Sequence, residues 1–261
     1  MSMWIATLVA ASSGCAILRS SPELPVTDRV QLQQLLIHGD FDVPEDHRVL
    51  SQLDQMRGRI ATTLELPETT EPIHVYLFKT PRRYRKFLRA HFPDFPNRRA
   101  FFVQTDTKLS VYAQWGDRIA EDLRHEVAHG YIHAAVPTIP LWIDEGLAEY
   151  FEVADPRGFH RAHLDQLGVA SERDGWRPRV LQLAQLQSIG DTEQLDYAES
   201  WAWVHFLLET TPQRRQLLTA YLQDLSRGQA RMGLAERILQ QEPRAEEALY
   251  EHLRSMAATA P

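Results

Sequence analysis

Residues 125 to 129 read His-Glu-Val-Ala-His. On a helix, positions i and i+4 share one face about one turn apart, roughly 6 Å along the axis. Two imidazoles so placed can both reach one Zn²⁺ at the usual ~2.0–2.1 Å nitrogen–metal distance. Glu126 follows the first histidine directly, so it can face the metal's open position without ligating, as a base for water must. The pentapeptide is short, and two helix-face histidines beside a solvated glutamate are the plain alternative. A third ligand decides between them, because catalytic zinc takes three protein ligands and leaves one position open. Downstream lies Leu141-Trp142-Ile143-Asp144-Glu145-Gly146-Leu147-Ala148-Glu149-Tyr150. Ile143, Leu147 and Tyr150 suit the buried side of a helix, with Glu145 and Glu149 sharing another face. Carboxylates on an otherwise apolar helix are costly to bury unless paired or bound to metal. Glu145 is the expected third ligand of one Zn²⁺ per chain. Glu149, one turn on, is expected to accept an N–H from a ligand histidine and so fix its tautomer and orientation.

This arrangement resembles the gluzincin metallopeptidases. It is most similar to the peptidase-MA-like members and, more distantly, to aminopeptidase N-type enzymes. The resemblance is carried by His125-Glu126-x-x-His129, a spacer of fifteen residues, and Glu145 within Trp142-Ile143-Asp144-Glu145-Gly146-Leu147-Ala148. The spacer is shorter than in the aminopeptidases. The resemblance implies His125, His129 and Glu145 as ligands, Glu126 as general base, and a peptide or protein substrate. It also implies a role for Tyr197, in Tyr197-Ala198-Glu199-Ser200, as donor to the developing oxyanion, which forms opposite the attacking nucleophile and needs one. Tyr197, Trp201, Val204 and Leu208 also fall at helical steps, so Tyr197 has a simpler reading as a core residue. No segment resembling the Gly-Ala-Met-Glu-Asn run that captures a free N-terminus precedes the histidines, so an aminopeptidase is not supported. In zincins a strand upstream of the active helix lines the cleft and pairs with extended substrate; Leu109–Ala113 is the expected strand. The fold so implied is α+β, zincin-like, with a small N-terminal sheet and a mostly helical C-terminal half. A degenerate zincin that holds zinc or a partner protein without turnover stays as the second reading.

The elements that must hold these residues are visible in the periodicity. Val49, Leu53, Met56, Ile60 and Leu64 recur at three- and four-residue steps and predict a helix within Pro44–Leu66. Ile73–Phe78 reads as a strand by its β-branched and aromatic content. Pro81 suits the first turn of a helix running to about His91. Ala100–Gln104 and Leu109–Ala113 predict two strands around a Thr-Asp-Thr turn. Asp117 is placed to cap the helix that carries the histidines, with Ile119, Leu123, Val127 and Ile132 on its apolar side. Pro137 and Pro140 end that helix and turn the chain. Arg214–Leu225 and Ala235–Met256 read as amphipathic scaffold, broken by Gly228 and Pro243. His133 lies about 12 Å along the axis from His125, too far to share its metal, and is expected to pack or face solvent. His205 is expected to be a satisfied core histidine.

Residues 1–14 carry no charged side chain, and Trp4–Ala11 is apolar. With the Ser12-Ser13-Gly14 box before it, the chain's single cysteine, Cys15, resembles the lipidated residue of a bacterial lipoprotein signal. The expectation is an exported protein anchored to the membrane through Cys15, facing the periplasm or cell exterior. The expected organisation is a signal at 1–14, a tether and lead-in at 15–43, and one domain at 44–261. Within that domain the β-containing part covers 66–116, the active-site helices 117–153 and the helical part 157–261. One cysteine excludes a disulfide framework and a multi-cysteine zinc site. Twenty-eight Lys+Arg against 35 Asp+Glu, a formal charge of −7, argue against nucleic acid as partner. Lys79–Arg99 is a local exception, with eight basic residues and one acidic. It reads as a solvated helix face, or as an attraction for an anionic membrane surface or acidic substrate.

Overall fold

The computed structural model describes residues 22–95, 98–188 and 192–259. Cys15 and the signal-like segment lie outside the described residues. Among the described residues, no helix is long and apolar enough to cross a membrane.

The N-terminal part is a five-stranded sheet. Its strands are β1 (Asp28–Leu32), β2 (Leu35–Gly39), β3 (Ile73–Phe78), β4 (Ala100–Thr105) and β5 (Lys108–Gln114). The order across the sheet is β1-β2-β3-β5-β4. The β2–β3 and β3–β5 pairs are parallel, and the two outer pairs are antiparallel hairpins. Each parallel step needs a crossover helix. Helix α1 (Arg48–Leu64) makes the first and α2 (Pro81–His91) lies within the second. The central strands are covered on both faces, which is why Ile73–Phe78 reads as a continuous apolar run. Ile73, Val75 and Leu77 point into the main core, where they meet Leu109, Val111 and Ala113 of β5. Tyr76, Phe78 and Tyr112 point the other way, onto Tyr84, Phe87 and Leu88 of α2. The basic residues of α2 are exposed on its outer side.

The C-terminal half is helical: α3 (Ile119–Ala135), α4 (Leu141–Glu152), α5 (Arg161–Asp174), α6 (Val180–Leu183), α7 (Gln194–Glu209), α8 (Pro212–Ser226), α9 (Leu234–Gln241) and α10 (Ala245–Thr259). The fold is therefore α+β, a small N-terminal sheet followed by a mostly helical half. Every residue from Tyr197 to Leu208 in α7 is buried, the mark of a helix surrounded by others. It packs on α4 and α5, while α3 lies between α4 and the sheet.

Two features depart from the sequence reading. The segment taken as tether and lead-in contributes β1 and β2. Its pairing partner β3 lies more than thirty residues away, so no local pattern announces it. Asp117 does not cap α3. The N-cap residue is Arg118, with no side-chain hydrogen bond, and Glu121 and Asp122 in the first turn balance the helix dipole instead.

Candidate metal centre

Leu123, Val127, Ala128 and Ile132 seat α3 in the main core. That leaves His125 and His129 together on a flanking face. At the end of α3, Val136 N–H bonds to Ile132 O, and the proline-bearing turn that follows returns the chain into α4. There the Pro140 carbonyl accepts the N–H of Ile143 and of Asp144. Trp142, Ile143, Leu147 and Phe151 bury the inner side of α4. Glu145 is thereby carried to the two histidines. Gly146 lets α7 come close: a Cβ there would lie 2.5 Å from the Ser200 carbonyl oxygen. Arg59 and Arg124 hold the last carbonyls of α4, Phe151 O at 3.0 Å and Glu152 O, and so tie its end to α1 and α3.

His125 Nε2 and His129 Nε2 are 3.3 Å apart. Glu145 Oε2 lies 3.5 Å from the first and 3.8 Å from the second. Three ligands at ~2.0–2.2 Å around a tetrahedral ion are separated by ~3.3–3.6 Å, so the spacing fits. The opposite edges of both rings are fixed. His125 Nδ1 faces Glu152 Oε2 at 3.0 Å, and His129 Nδ1 faces Asp144 Oδ1 at 2.8 Å. A carboxylate only accepts, so each Nδ1 carries a proton and each Nε2 of the neutral ring presents a lone pair inward. Glu145 Oε2 adds a third acceptor; it is buried and has no hydrogen-bond partner. Three converging acceptors need a cation among them. Without a metal, protons serve. Burial opposes the charge on His129, but Asp144 and Glu145 outweigh it and hold the imidazole up at about 9. At His125 burial likewise opposes, and Glu145 and Glu152, with Glu149, outweigh it and raise the imidazole well above its ordinary value. The group His125, His129 and Glu145 can therefore hold a metal ion.

An open cavity of about 510 Å³ reaches this group, with His125, Glu126 and Tyr197 in its wall. Burial pushes the Glu126 carboxyl up, while His125 and His129 pull it back. The Tyr197 hydroxyl accepts a hydrogen bond from Arg98 Nη2 at 2.6 Å, and the guanidinium lies over the ring, 5.5 Å from its centroid. Burial, then the Glu145 charge, raises the Tyr197 phenol. It therefore keeps its own proton and can donate it into the cavity.

Glu149 is 4.0 Å from His125 Nδ1, while its other oxygen binds His163 Nε2 at 2.8 Å. Glu152 and Asp144 make the close contacts to His125 and His129. Asp144 also accepts from His133 Nε2 at 3.0 Å. His133 is thus part of the support for the site, packed against Phe102, and not solvent-facing. His205 is buried, its Nδ1 3.2 Å from His252 Nε2. The strand β5 is paired on both sides, by β3 and β4, so it has no free edge for a peptide. Among the described residues the free edge beside α3 belongs to β4, whose Phe102 stacks near His129, with centroids 5.9 Å apart. The sequence reading missed Asp144, Glu152, Arg98, His160 and His163. Glu152 was within reach of it, because it follows Glu145 by seven residues and so falls on the same helix face. His160 and His163 carried no local signal.

Residues 119–230 match the family described as a protein of unknown function (DUF1570). The matched stretch runs from the first turn of α3 past the end of α8, and so contains every residue of the centre except Arg98 and Phe102. No curated protein matches the chain.

Proposed function

We propose that the chain is a zinc-dependent peptide hydrolase of the gluzincin type. The observation that carries the reading is the convergence of His125 Nε2, His129 Nε2 and the orphaned Glu145 Oε2, with both Nδ1 atoms held by carboxylates. Two imidazoles, one carboxylate and an open side form the donor set of catalytic zinc. When bound, the ion supplies a Lewis acid that acidifies water and polarises a carbonyl. Glu126 takes the proton from the attacking water and passes it to the leaving amine; its raised carboxyl suits both roles. Tyr197 donates to the developing oxyanion, and Arg98 holds the phenol in place and adds positive charge beside it. The free edge of β4 offers backbone groups to an extended peptide, which reads main chain and not side chains. Export and lipid anchoring through Cys15 belong to the same proposal on the sequence alone, and fractionation of a Cys15→Ala variant tests them.

The decisive test compares the zinc-loaded protein with Glu126→Gln on a diverse peptide mixture, with cuts mapped by mass spectrometry. Glu126→Gln is expected to keep one zinc in this centre and lose about 10²–10⁴-fold in turnover. Equal cutting by both proteins overturns the base assignment. Zinc bound with no cutting by either selects the non-catalytic zincin. No metal bound at all ends the hydrolase reading.

A further inference from the structure

A second group of ligating side chains stands in the wall of the same cavity. Glu149 and Glu152 project from the last turn of α4, three residues apart. His160, the N-cap residue of α5, and His163 in its first turn project from the facing element. The link between these helices turns at Gly158, where φ is +66° and a Cβ would sit 2.1 Å from the Tyr150 ring. Only glycine closes that turn, and Trp201 Nε1 pins its carbonyl at 2.8 Å. All four side chains line the cavity, so a dissolved ion can reach them.

We propose that Glu149, Glu152, His160 and His163 form a second site for a divalent transition-metal ion, of the borderline class to which zinc belongs. The ligating atoms are already gathered, and an ion binding among them displaces the protons that the imidazoles now direct at the carboxylates. His163 Nε2 lies 2.8 Å from Glu149 Oε2. His160 Nε2 lies 3.0 Å from Glu152 Oε1 and 3.6 Å from Glu149 Oε2. The donor atoms of Glu149, His160 and His163 all fall within 4.8 Å of one another. Imidazole with carboxylate is a donor set for zinc and its neighbours, not for calcium or magnesium, which take oxygen alone. Charge points the same way: two carboxylates largely withdrawn from water need positive charge beside them, and one divalent ion matches two of them.

The site is separate from the first but linked to it. Glu152 gives one oxygen to His160 and the other to His125 Nδ1. Glu149 likewise turns Oε2 to His160 and His163 and Oε1 toward His125, at 4.0 Å. An ion on the second group would draw electron density from the carboxylate that orients a ligand of the first. Filling the second site is expected to weaken the first, so the two bind with unequal affinity. This inference does not rest on peptide hydrolysis; it stands if the first centre proves non-catalytic.

The test is metal stoichiometry on the full chain, stripped with chelator and titrated with Zn²⁺ and with Co²⁺, whose absorption bands report the ligand set. Two equivalents are expected. His160→Ala/His163→Ala is expected to bind one and to keep the Co²⁺ spectrum of the first centre. His129→Ala is expected to keep the second equivalent. His163→Gln retains a donor for Glu149 and guards against a folding defect; it too is expected to lose the equivalent held by the second site, with an unchanged circular dichroism spectrum and melt. A single equivalent, lost in His129→Ala and untouched by the α5 substitutions, overturns the second site and leaves the first. A single equivalent lost only in the α5 variants supports this site and overturns the first.

Discussion

Asp144→Asn isolates what the carboxylate behind His129 does. The side chain keeps its shape, and its amide oxygen can still accept from His129 Nδ1, now 2.8 Å from a charged oxygen. The charge is lost, and with it the second acceptor: the bond to His133 Nε2 survives only if that ring switches tautomer and accepts from the amide NH2. A hydrogen bond to a charged group contributes about 1.5–3 kcal/mol and a neutral one about 0.5–1.5. The difference, about 1–1.5 kcal/mol, corresponds to roughly tenfold in metal affinity, the lower end of the 10–100-fold typical of such supporting groups. Proton competition complicates the readout in a useful way. In the metal-free protein, Asp144 also helps hold the His129 imidazole at about 9, so metal must displace a proton at pH 7. Two pH units of that competition amount to ~2–3 kcal/mol, and Asp144→Asn relieves part of it. The affinity loss is therefore expected to be about tenfold at pH 9.5, where the ring is mostly neutral in both proteins, and to shrink or vanish at pH 7. Zinc competition against a chromophoric chelator at the two pH values measures it. No loss at pH 9.5 would refute the orienting role of Asp144. A loss of equal size at both values would refute the proton account.

Tyr197→Phe is expected to lower turnover about 10²-fold or more while leaving KM and metal content nearly unchanged; a pure KM effect would assign the phenol to packing. Burial, with His252 adding, pulls the His205 imidazole down to about 3, against ~6.5 unfolded. Its folded-state contribution is thus complete above pH 6.5 and is lost as pH falls toward 3, about 3 kcal/mol of it by pH 4. Urea midpoints of chelator-treated protein at pH 7 and pH 4 should therefore converge in His205→Phe, and an acid loss equal to the wild type's counts against the assignment. Gly146→Ala drives a methyl to 2.5 Å from Ser200 O and 2.8 Å from Val204 Cγ2. It is expected to cost about 1–3 kcal/mol by overpacking α4 against α7, and a thermal melt within error of the wild type would show that these helices can part freely.

Several elements were legible because one local period described their surroundings. Helix α1 buries Val49, Leu53, Met56, Ile60 and Leu64, the residues its spacing marks. Strand β3 begins and ends where its apolar run does, and α2 starts at Pro81 and stops at His91. His125 and His129 could be paired from sequence because four residues make one helical turn. Glu145 could be joined to them because a carboxylate on an apolar helix needs a partner. All but the last are statements about one element at a time, and the chain determines them by itself.

The tertiary structure decided what lies between elements. It placed β4 and not β5 at the free edge, since strand order depends on crossovers that no local pattern encodes. It gave the two histidines of α3 to Asp144 and Glu152, and turned Glu149 toward His163 of α5, pairings between elements that the period of α4 does not encode. It brought Arg98 onto Tyr197, ninety-nine residues on, and set His160 and His163 against α4 through the turn at Gly158. Helical and strand periods fix which face a residue occupies; only the packing of whole elements fixes which other face it meets.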